Sequence, residues 1–317
     1  LWLDSRKNRP LCFVSHAHTD HLGRHDLAVA TPATARLAEQ RISSTRTIEL
    51  AVGVEHALAE NLHVRLLHAG HVLGSAMIHV THHAGTLLYT GDFKLGTSLT
   101  APRAAPEPAQ VLVMESTFGI PVFRFPPRNA VQTQLIELVA QAINHGVQPI
   151  VMGYSLGKAQ EIVRIMTDAG IPVTEHGAVA AFSTTYEVMG VKLGSRRKYA
   201  AADFHGSTAL DLRERGVIVA PPQVARSAFV EKFDRKLTIM LSGWGMLKNA
   251  HFRYGVDHVL PISDHADFDE LIETVERVKP TKVYTCHGYR EFADTLRSRG
   301  WDARPAIPDR QLRLFEE

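Results

Sequence analysis

The sequence predicts an α/β protein of two domains, the second lying between two segments of the first. Three observations carry that expectation. Residues 11–90 give short apolar strands with one clear helix, residues 111–220 alternate strands with longer helical stretches, and residues 256–299 return to strands that end in histidine motifs. At 317 residues the chain has the length of two ordinary domains and ample material for a packed core.

Taken in order, residues 1–4 (LWLD) read as the middle of a strand, and Leu1 is not an initiating methionine, so the natural chain is expected to begin earlier. Residues 11–15 (LCFVS), 62–67 (LHVRLL), 76–81 (AMIHVT) and 86–90 (TLLYT) are short apolar runs of strand length, and 32–40 is the one clear helix among them. Leu22-Gly23 is placed to open a further helix. The tract 100–110 (TAPRAAPEPAQ) reads as a surface linker, because its prolines cannot sit inside a ladder. Strands at 111–114, 149–152, 171–174 and 217–220 then alternate with helices at 129–144 and 157–169, the rhythm of βαβ units and a parallel sheet. Residues 256–262 and 282–285 follow as strands, with helices at 268–278 and 289–299. The expected boundaries are 1–116 for the first part of one domain, 117–255 for the inserted domain and 256–317 for the second part.

Hydrophobic residues make up 45% and charged residues 21%, a globular composition that excludes disorder, collagen-like repeats and coiled coil. Lys+Arg 35 against Asp+Glu 33 gives a net charge of +2, so any polyanion site must be local. Cys12 and Cys286 are too few for a disulfide framework, and nothing resembles a signal peptide or an apolar run of membrane-spanning length. A cytoplasmic protein without a membrane partner is expected. The anomaly is histidine: 18 copies in an otherwise average chain point to metal.

The densest cluster is Ser15-His16-Ala17-His18-Thr19-Asp20-His21, directly after LCFVS. Alternate positions on an extended loop point His16 and His18 the same way, and Asp20 and His21 at the following turn can face a second ion. This H-x-H-x-D-H run resembles the signature of the metallo-β-lactamase superfamily. The resemblance requires three further features in order, and the chain supplies each: His71 in the Gly-rich turn AGHVLGS, Asp92 in YTGDF, and His287 in TCHG. Asp4 in WLDS matches the family's early aspartate, which orients ligands from behind. By this resemblance His16, His18 and His71 hold one ion, Asp20, His21 and His287 hold the other, and Asp92 bridges them. Two Zn²⁺ ions are implied, with Mn²⁺ or Fe also compatible with nitrogen and oxygen ligands. His56, His63, His68, His79, His82, His83 and His145 read instead as hydrogen-bonded surface or core residues.

Lactamases and glyoxalase-type thioesterases of the superfamily lack a βαβ block of this size before the last ligand. The insertion resembles that of the β-CASP nucleases, and the implied fold is an αββα sandwich carrying a β-CASP domain with a parallel sheet flanked by helices. Glu115 in MESTFG matches the group's first extra motif, His265 in SDHAD the second and His287 the third, with Asp264 where the group usually has a small residue. The implied catalytic residues are Asp20, Glu115 and His265. A hydroxide shared by two ions attacks phosphorus, and His265, polarised by Glu115, protonates the leaving oxygen.

Gly153-Tyr154-Ser155-Leu156-Gly157-Lys158 joins a strand to a helix but lacks Walker spacing, which argues against ATP hydrolysis. Ser155, Gly157 and Lys158 at such a turn suit either a backbone-phosphate clamp or simple packing of a glycine turn. Residues 195–199 (SRRKY) and 226–236, with Phe229 and Phe233, suit single-strand contact or a solvated basic surface. Trp244 in SGWGM lies in a glycine-rich turn that the resemblance places near the substrate. GYSLGKAQ, HGAV at 176–179, SGWGM, SDHADFDEL and CHGY recur in this order in bacterial β-CASP exonucleases associated with an ATP-dependent DNA ligase. That resemblance implies a DNA exonuclease in repair acting on single-stranded DNA or DNA ends, with the ligase and a helicase as partners. A histidine at the third motif is otherwise associated with RNA enzymes, so an RNA-processing β-CASP ribonuclease, endo- or exo-, is the alternative. Hydrolysis of a small thioester or lactam leaves the inserted domain without a use, and a degenerate binding subunit leaves a complete ligand set without one.

Overall fold

At 66–67, 76–78 and 111–114 apolar residues occupy successive positions, not alternate ones, which is the pattern of strands covered on both faces. The computed structural model describes residues 1–42, 45–204 and 209–306, and its contacts divide the chain into one unit of Leu1–Arg124 with Asp264–Glu317 and a second of Phe125–Ser263. Residues 307–317 of the expected third segment lie outside the described residues.

In the first unit β1 (Trp2–Leu3), β2 (Cys12–Phe13), β3 (Ala28–Ala30), α1 (Pro32–Ala38) and β4 (Thr47–Glu49) come first, followed by β5 (Glu55–Ala59), β6 (Leu62–His68), β7 (Ala76–His82), β8 (Gly85–Tyr89) and β9 (Val111–Glu115). The first four strands form a parallel sheet in chain order. Leu22-Gly23 opens no helix: a Cβ on Gly23 would sit 2.4 Å from the Ser5 carbonyl oxygen, so this turn is packed against the N-terminal segment.

The second unit contains α2 (Arg128–Asn144), β10 (Gln148–Met152), α3 (Lys158–Asp168), β11 (Val173–Glu175), α4 (Gly177–Val188), β12 (Arg197–Lys198), α5 (Leu212–Arg215), β13 (Val217–Ala220), α6 (Ala228–Glu231), β14 (Lys236–Leu241), α7 (Ala250–Tyr254) and β15 (His258–Leu260). Its six-stranded sheet is parallel throughout, in the order β12-β11-β13-β10-β14-β15. β10 and β13 are buried along their whole length, as expected of central parallel strands.

The chain then returns to the first unit with α8 (Phe268–Val278), β16 (Lys282–Cys286), α9 (Glu291–Ser298) and β17 (Ala303–Pro305). The larger sheet has the order β17-β16-β9-β8-β7-β6-β5, antiparallel from β5 to β8 and parallel beyond. Alternate side chains go to opposite faces: Leu66, Ile78, Leu87 and Val111 pack with Phe13, Val29 and Leu50 of the smaller sheet, and Leu67, Met77, Leu88 and Leu112 pack with Leu271, Val275 and Phe292 of α8 and α9. Val14, Leu22, Ala28 and Ala30 meet Ala38 on the far side of the smaller sheet. The layers are helix, sheet, sheet, helix, the αββα sandwich, and the second unit is a parallel sheet with helices.

The unit boundaries fall at 124/125 and 263/264, later than the expected 116/117 and 255/256. Phe118 packs at a tilt against Phe123, Phe123 meets Tyr289, and Gly119 lies against Phe292, which keeps residues 117–124 with the first unit. The strand expected at 256–262 is β15, and it pairs with β14, so it extends the second unit's sheet. Among the described residues no helix is long and apolar enough to cross a membrane.

Candidate metal centre

The H-x-H-x-D-H residues follow β2, whose neighbour β1 ends at Leu3 and delivers Asp4 behind them. Asp4 has φ 43°, and its carboxylate accepts from Ser15 N at 2.7 Å, Ser15 Oγ at 2.5 Å, Tyr89 Oη at 2.9 Å and His21 Nδ1 at 2.8 Å. Gly91, at φ 53°, has Ser15 Cβ and Oγ 2.6 Å from where a Cβ would stand, and only glycine lets the Asp92 loop lie that close to the histidine loop.

The tautomers follow from the outer partners. Ser15 Oγ gives its proton to Asp4, so at 2.9 Å it accepts from His16 Nδ1–H, which leaves His16 Nε2 as a lone pair. His71 Nδ1–H donates to the Asp264 carbonyl at 3.0 Å with the same consequence for its Nε2, and His21 Nδ1–H donates to Asp4, which turns His21 Nε2 toward Asp92. These three nitrogens lie 3.6, 3.9 and 3.3 Å from Asp92 Oδ2 for His16, His71 and His21 respectively. His18 Nδ1 stands 3.0 Å from His16 Nε2 and 3.1 Å from His71 Nε2. Three imidazole nitrogens and a buried carboxylate oxygen thus converge within 4.8 Å of one another. Lone pairs turned toward a common point repel unless a cation lies among them, and imidazoles each fixed through the other nitrogen are how proteins present metal ligands. The donor set fits a divalent metal.

Charge agrees with this. Burial holds His16 well below its ordinary value, and burial together with His265 brings His71 down to about 3, so both are neutral and able to ligate. Burial also opposes charge on His21, but the Asp92 and Asp4 carboxylates push it up to about 11, where a cation beside Asp92 would take the proton's place. Burial works against ionisation of Asp92 as well, and His21 and His265 outweigh it and keep the carboxyl ionised.

Asp20 and His287 stand apart from the four-residue group. The Asp20 side chain is 71% exposed with Oδ2 3.9 Å from His21 Nε2, and the His287 ring centroid is 5.2 Å from that of His21. His287 has φ 54°, a conformation costly for a residue with a Cβ, and Gly288 follows with Ser116 O only 1.8 Å from a Cβ position. The cramped turn after β16 fixes where His287 emerges.

Beside the cluster, His265 Nδ1 lies 2.9 Å from Glu115 Oε2 and 3.1 Å from Oε1. Glu115 ends β9, is buried, accepts from Phe93 N at 2.7 Å and takes a further hydrogen bond from Thr117 Oγ1. Ala266 N donates to Phe93 O at 2.6 Å, and an Asp267–Glu270 capping box then starts α8. Burial disfavours a charged His265, but the Glu115 and Asp92 carboxylates prevail and lift it to about 9.

In the second unit the Gly157 amide is taken by Gln160 Oε1 at 2.8 Å, Ser155 O accepts from Gln160 Nε2, and Lys158 is 2% exposed with its stem against Gly153. This is the packed glycine turn, one of the two expectations. Trp244 is half-buried with Arg253 5.5 Å over its ring. Of the histidines set aside, His79 reaches the Pro108 carbonyl at 3.0 Å and His145 that of Gln141 at 2.7 Å.

Comparison with known proteins adds the following. Residues 249–306 match the family described as Zn-dependent metallo-hydrolase RNA specificity domain. A probable DNA ligase of Opitutus terrae is 37% identical over 316 residues, covering 99% of this chain and 30% of that protein. An RNase J-like protein of Methanocaldococcus jannaschii is 26% identical over 89% of this chain and 83% of its own length, and the 5′ exonuclease Apollo of Gallus gallus is 29% identical over 86% and 57%. The chain belongs to the β-CASP nuclease group of the metallo-β-lactamase superfamily. In this β-CASP protein the partners unforeseen from sequence are Ser15 and Tyr89 on Asp4, Thr117 on Glu115, and the Asp264 carbonyl on His71. Only Asp264 carried a signal, as a departure from the group's pattern beside the motif histidine.

Proposed function

We propose that this chain is a metal-dependent phosphodiesterase acting on nucleic acid, and that its substrate is single-stranded DNA or a DNA end degraded exonucleolytically in repair. The observation that carries hydrolysis is the pairing of a converging His16, His18, His71 and Asp92 cluster with a His265–Glu115 dyad. We assign two Zn²⁺ ions to the chain, with Mn²⁺ as the alternative: one on His16, His18 and His71, one on Asp20, His21 and His287, with Asp92 common to both. Bound there, they supply an activated water and neutralise charge on the phosphoryl oxygens. The chain's own residues do the rest. Asp4 and the Asp264 carbonyl hold His21 and His71 in their ligating tautomers, and Glu115 fixes the His265 ring and keeps its proton on at neutral pH. That proton passes to the departing oxygen.

The DNA assignment is supported by the names of two relatives, a probable DNA ligase and a 5′ exonuclease, the former 37% identical to this chain. It also makes an ATP-dependent ligase, with a helicase, the proposed partner. Cytoplasmic location is proposed with it, since Cys12 and Cys286 are free thiols. The RNA reading is favoured by the match of residues 249–306 and by the RNase J-like relative. Matched single-stranded DNA and RNA, each labelled at one end and digested with Zn²⁺ or Mn²⁺ beside an Asp92→Ala control, separate the two. DNA shortened progressively from one end is the expected result; preferential cutting of RNA overturns the DNA assignment, and activity undiminished in Asp92→Ala overturns the site.

A further inference from the structure

The second unit holds four aromatic rings around one ammonium. Lys232 Nζ lies 4.0 Å from the ring centroid of Tyr199, 4.2 Å from Phe229, 5.1 Å from Phe233 and 5.9 Å from Phe204, and it donates a hydrogen bond to the Tyr199 hydroxyl. Tyr199 stacks on Phe204 at 4.7 Å and meets Phe229 edge-on at 5.0 Å, and Phe233 braces Phe204 and Phe229 from behind. Phe204 and Phe233 are buried, whereas Tyr199, Phe229 and Lys232 form a half-buried front. The sequence offered Phe229 and Phe233 for single-strand contact or as part of a solvated basic surface; Phe233 is core, Phe229 is half-buried, and both rings face a lysine.

Tyr199 and His176 directly follow β12 and β11, which pair in register with Glu175 beside Lys198, and the His176 ring meets Phe229 at 5.1 Å. The cage therefore sits on the carboxyl edge of a parallel sheet, the edge at which open α/β sheets receive ligands. Aromatic cages elsewhere hold quaternary or methylated ammonium groups. Here a lysine already fills the cage, and Arg197 and Lys198, both exposed on the strand leading into it, repel a cationic guest. A flat ring carrying negative charge suits both the rings and the cations.

We infer that the Tyr199–Phe229–Lys232 cage is a second nucleic-acid site, in which one nucleotide of a single strand stacks its base on the half-buried Tyr199 and Phe229 rings and its phosphate draws the Lys232 ammonium outward. The inference rests on the reading of this chain as a nucleic-acid hydrolase and adds a contact on the unit that carries none of the metal ligands.

The test is binding of a short fluorescein-labelled oligothymidylate in EDTA, where cleavage is silent. Phe229→Ala should weaken binding roughly 5- to 150-fold, the range for one lost base stack. Lys232→Gln should flatten the log affinity against log salt line by about 0.7, the share of one single-strand phosphate, and Lys232→Arg should restore it. Photocrosslinking of the unmutated protein to a 5-iodouracil oligonucleotide should mark Tyr199 or Phe229, and this decides the matter if a variant melts early. Unchanged affinity and slope in well-folded variants, or crosslinks only elsewhere, overturn the inference while cleavage by the same protein leaves the hydrolase reading standing. A crosslink in the cage of a chain that cuts nothing supports the inference and removes the hydrolase reading.

Discussion

Replacing Asp4 by asparagine isolates one charge behind the metal cluster. Asparagine keeps the side-chain volume and tolerates the positive φ of 43°, so backbone strain does not confuse the outcome. The carboxylate is 2% exposed and receives the Ser15 amide, the Ser15 and Tyr89 hydroxyls and His21 Nδ1. Oδ1 takes the Ser15 amide and Oδ2 the other three donors, so an asparagine that keeps its oxygen at the Oδ2 position turns its NH₂ onto the Ser15 N–H and leaves that one donor without a partner. At about 1–3 kcal/mol for a buried donor left unsatisfied, the first unit loses about 1–3 kcal/mol. At 2–4 °C per kcal/mol for a domain of this size, melting falls by at least about 2 °C. His21 also loses the charge behind its ring, which should weaken metal binding about 10- to 100-fold. Urea melts of the metal-free protein and competition with a chromophoric chelator read the two effects separately. An Asp4→Asn protein that unfolds within about 0.5 kcal/mol of the parent and binds metal equally well would refute the reasoning.

Further predictions concern the dyad, the third-motif turn and the thiols. His265→Ala should lower kcat by about 10²–10⁴ with little change in KM or metal content, measured on a labelled oligonucleotide. His265 must carry a proton to act and is raised to about 9, so activity is present below that pH and lost as pH rises through it. A cation beside Asp92 can only lower this limb, and Glu115→Gln should move it further down; a limb unmoved by Glu115→Gln would exclude His265 as the acid. Gly288→Ala places a Cβ 1.8 Å from the Ser116 carbonyl oxygen and should cost about 1–3 kcal/mol and reduce metal stoichiometry by displacing His287. Burial lifts Cys12 to about 11 and Cys286 well above the usual thiol range, so the folded protein should resist iodoacetamide near neutral pH and take two adducts in urea.

The sandwich was legible because its strands at 62–67, 76–81 and 86–90 are short, mostly apolar segments of the right length, and because the helix at 268–278 has a strong one-sided pattern. α4 escaped notice: Ser183, Thr184, Thr185 and Val188 are poor helix formers, and it is packing of Val179, Phe182 and Tyr186 that holds it. The true partner of residues 258–260 was also hidden, since pairing with β14 is a contact across the fold and leaves no local trace. The converging group His16, His18, His71 and Asp92 was readable because each of its residues sits in a short recognisable motif. Of the groups that orient them only Asp4 was, for Tyr89 reaches Asp4 and Asp264 reaches His71 only once the sheets have closed. Lys158 left two readings open, since a lysine after a glycine turn can be an exposed cation or part of the packing, and the fold buries it.

The most direct test strips the protein with a chelator, returns Zn²⁺ in steps, and follows bound metal and phosphodiester cleavage on the same samples. The account predicts cleavage that is absent without metal and rises to a plateau at two ions per chain, with neither binding nor cleavage recovered in Asp92→Ala. Full cleavage by the stripped protein, or saturation of Asp92→Ala at the same stoichiometry and rate, would contradict it.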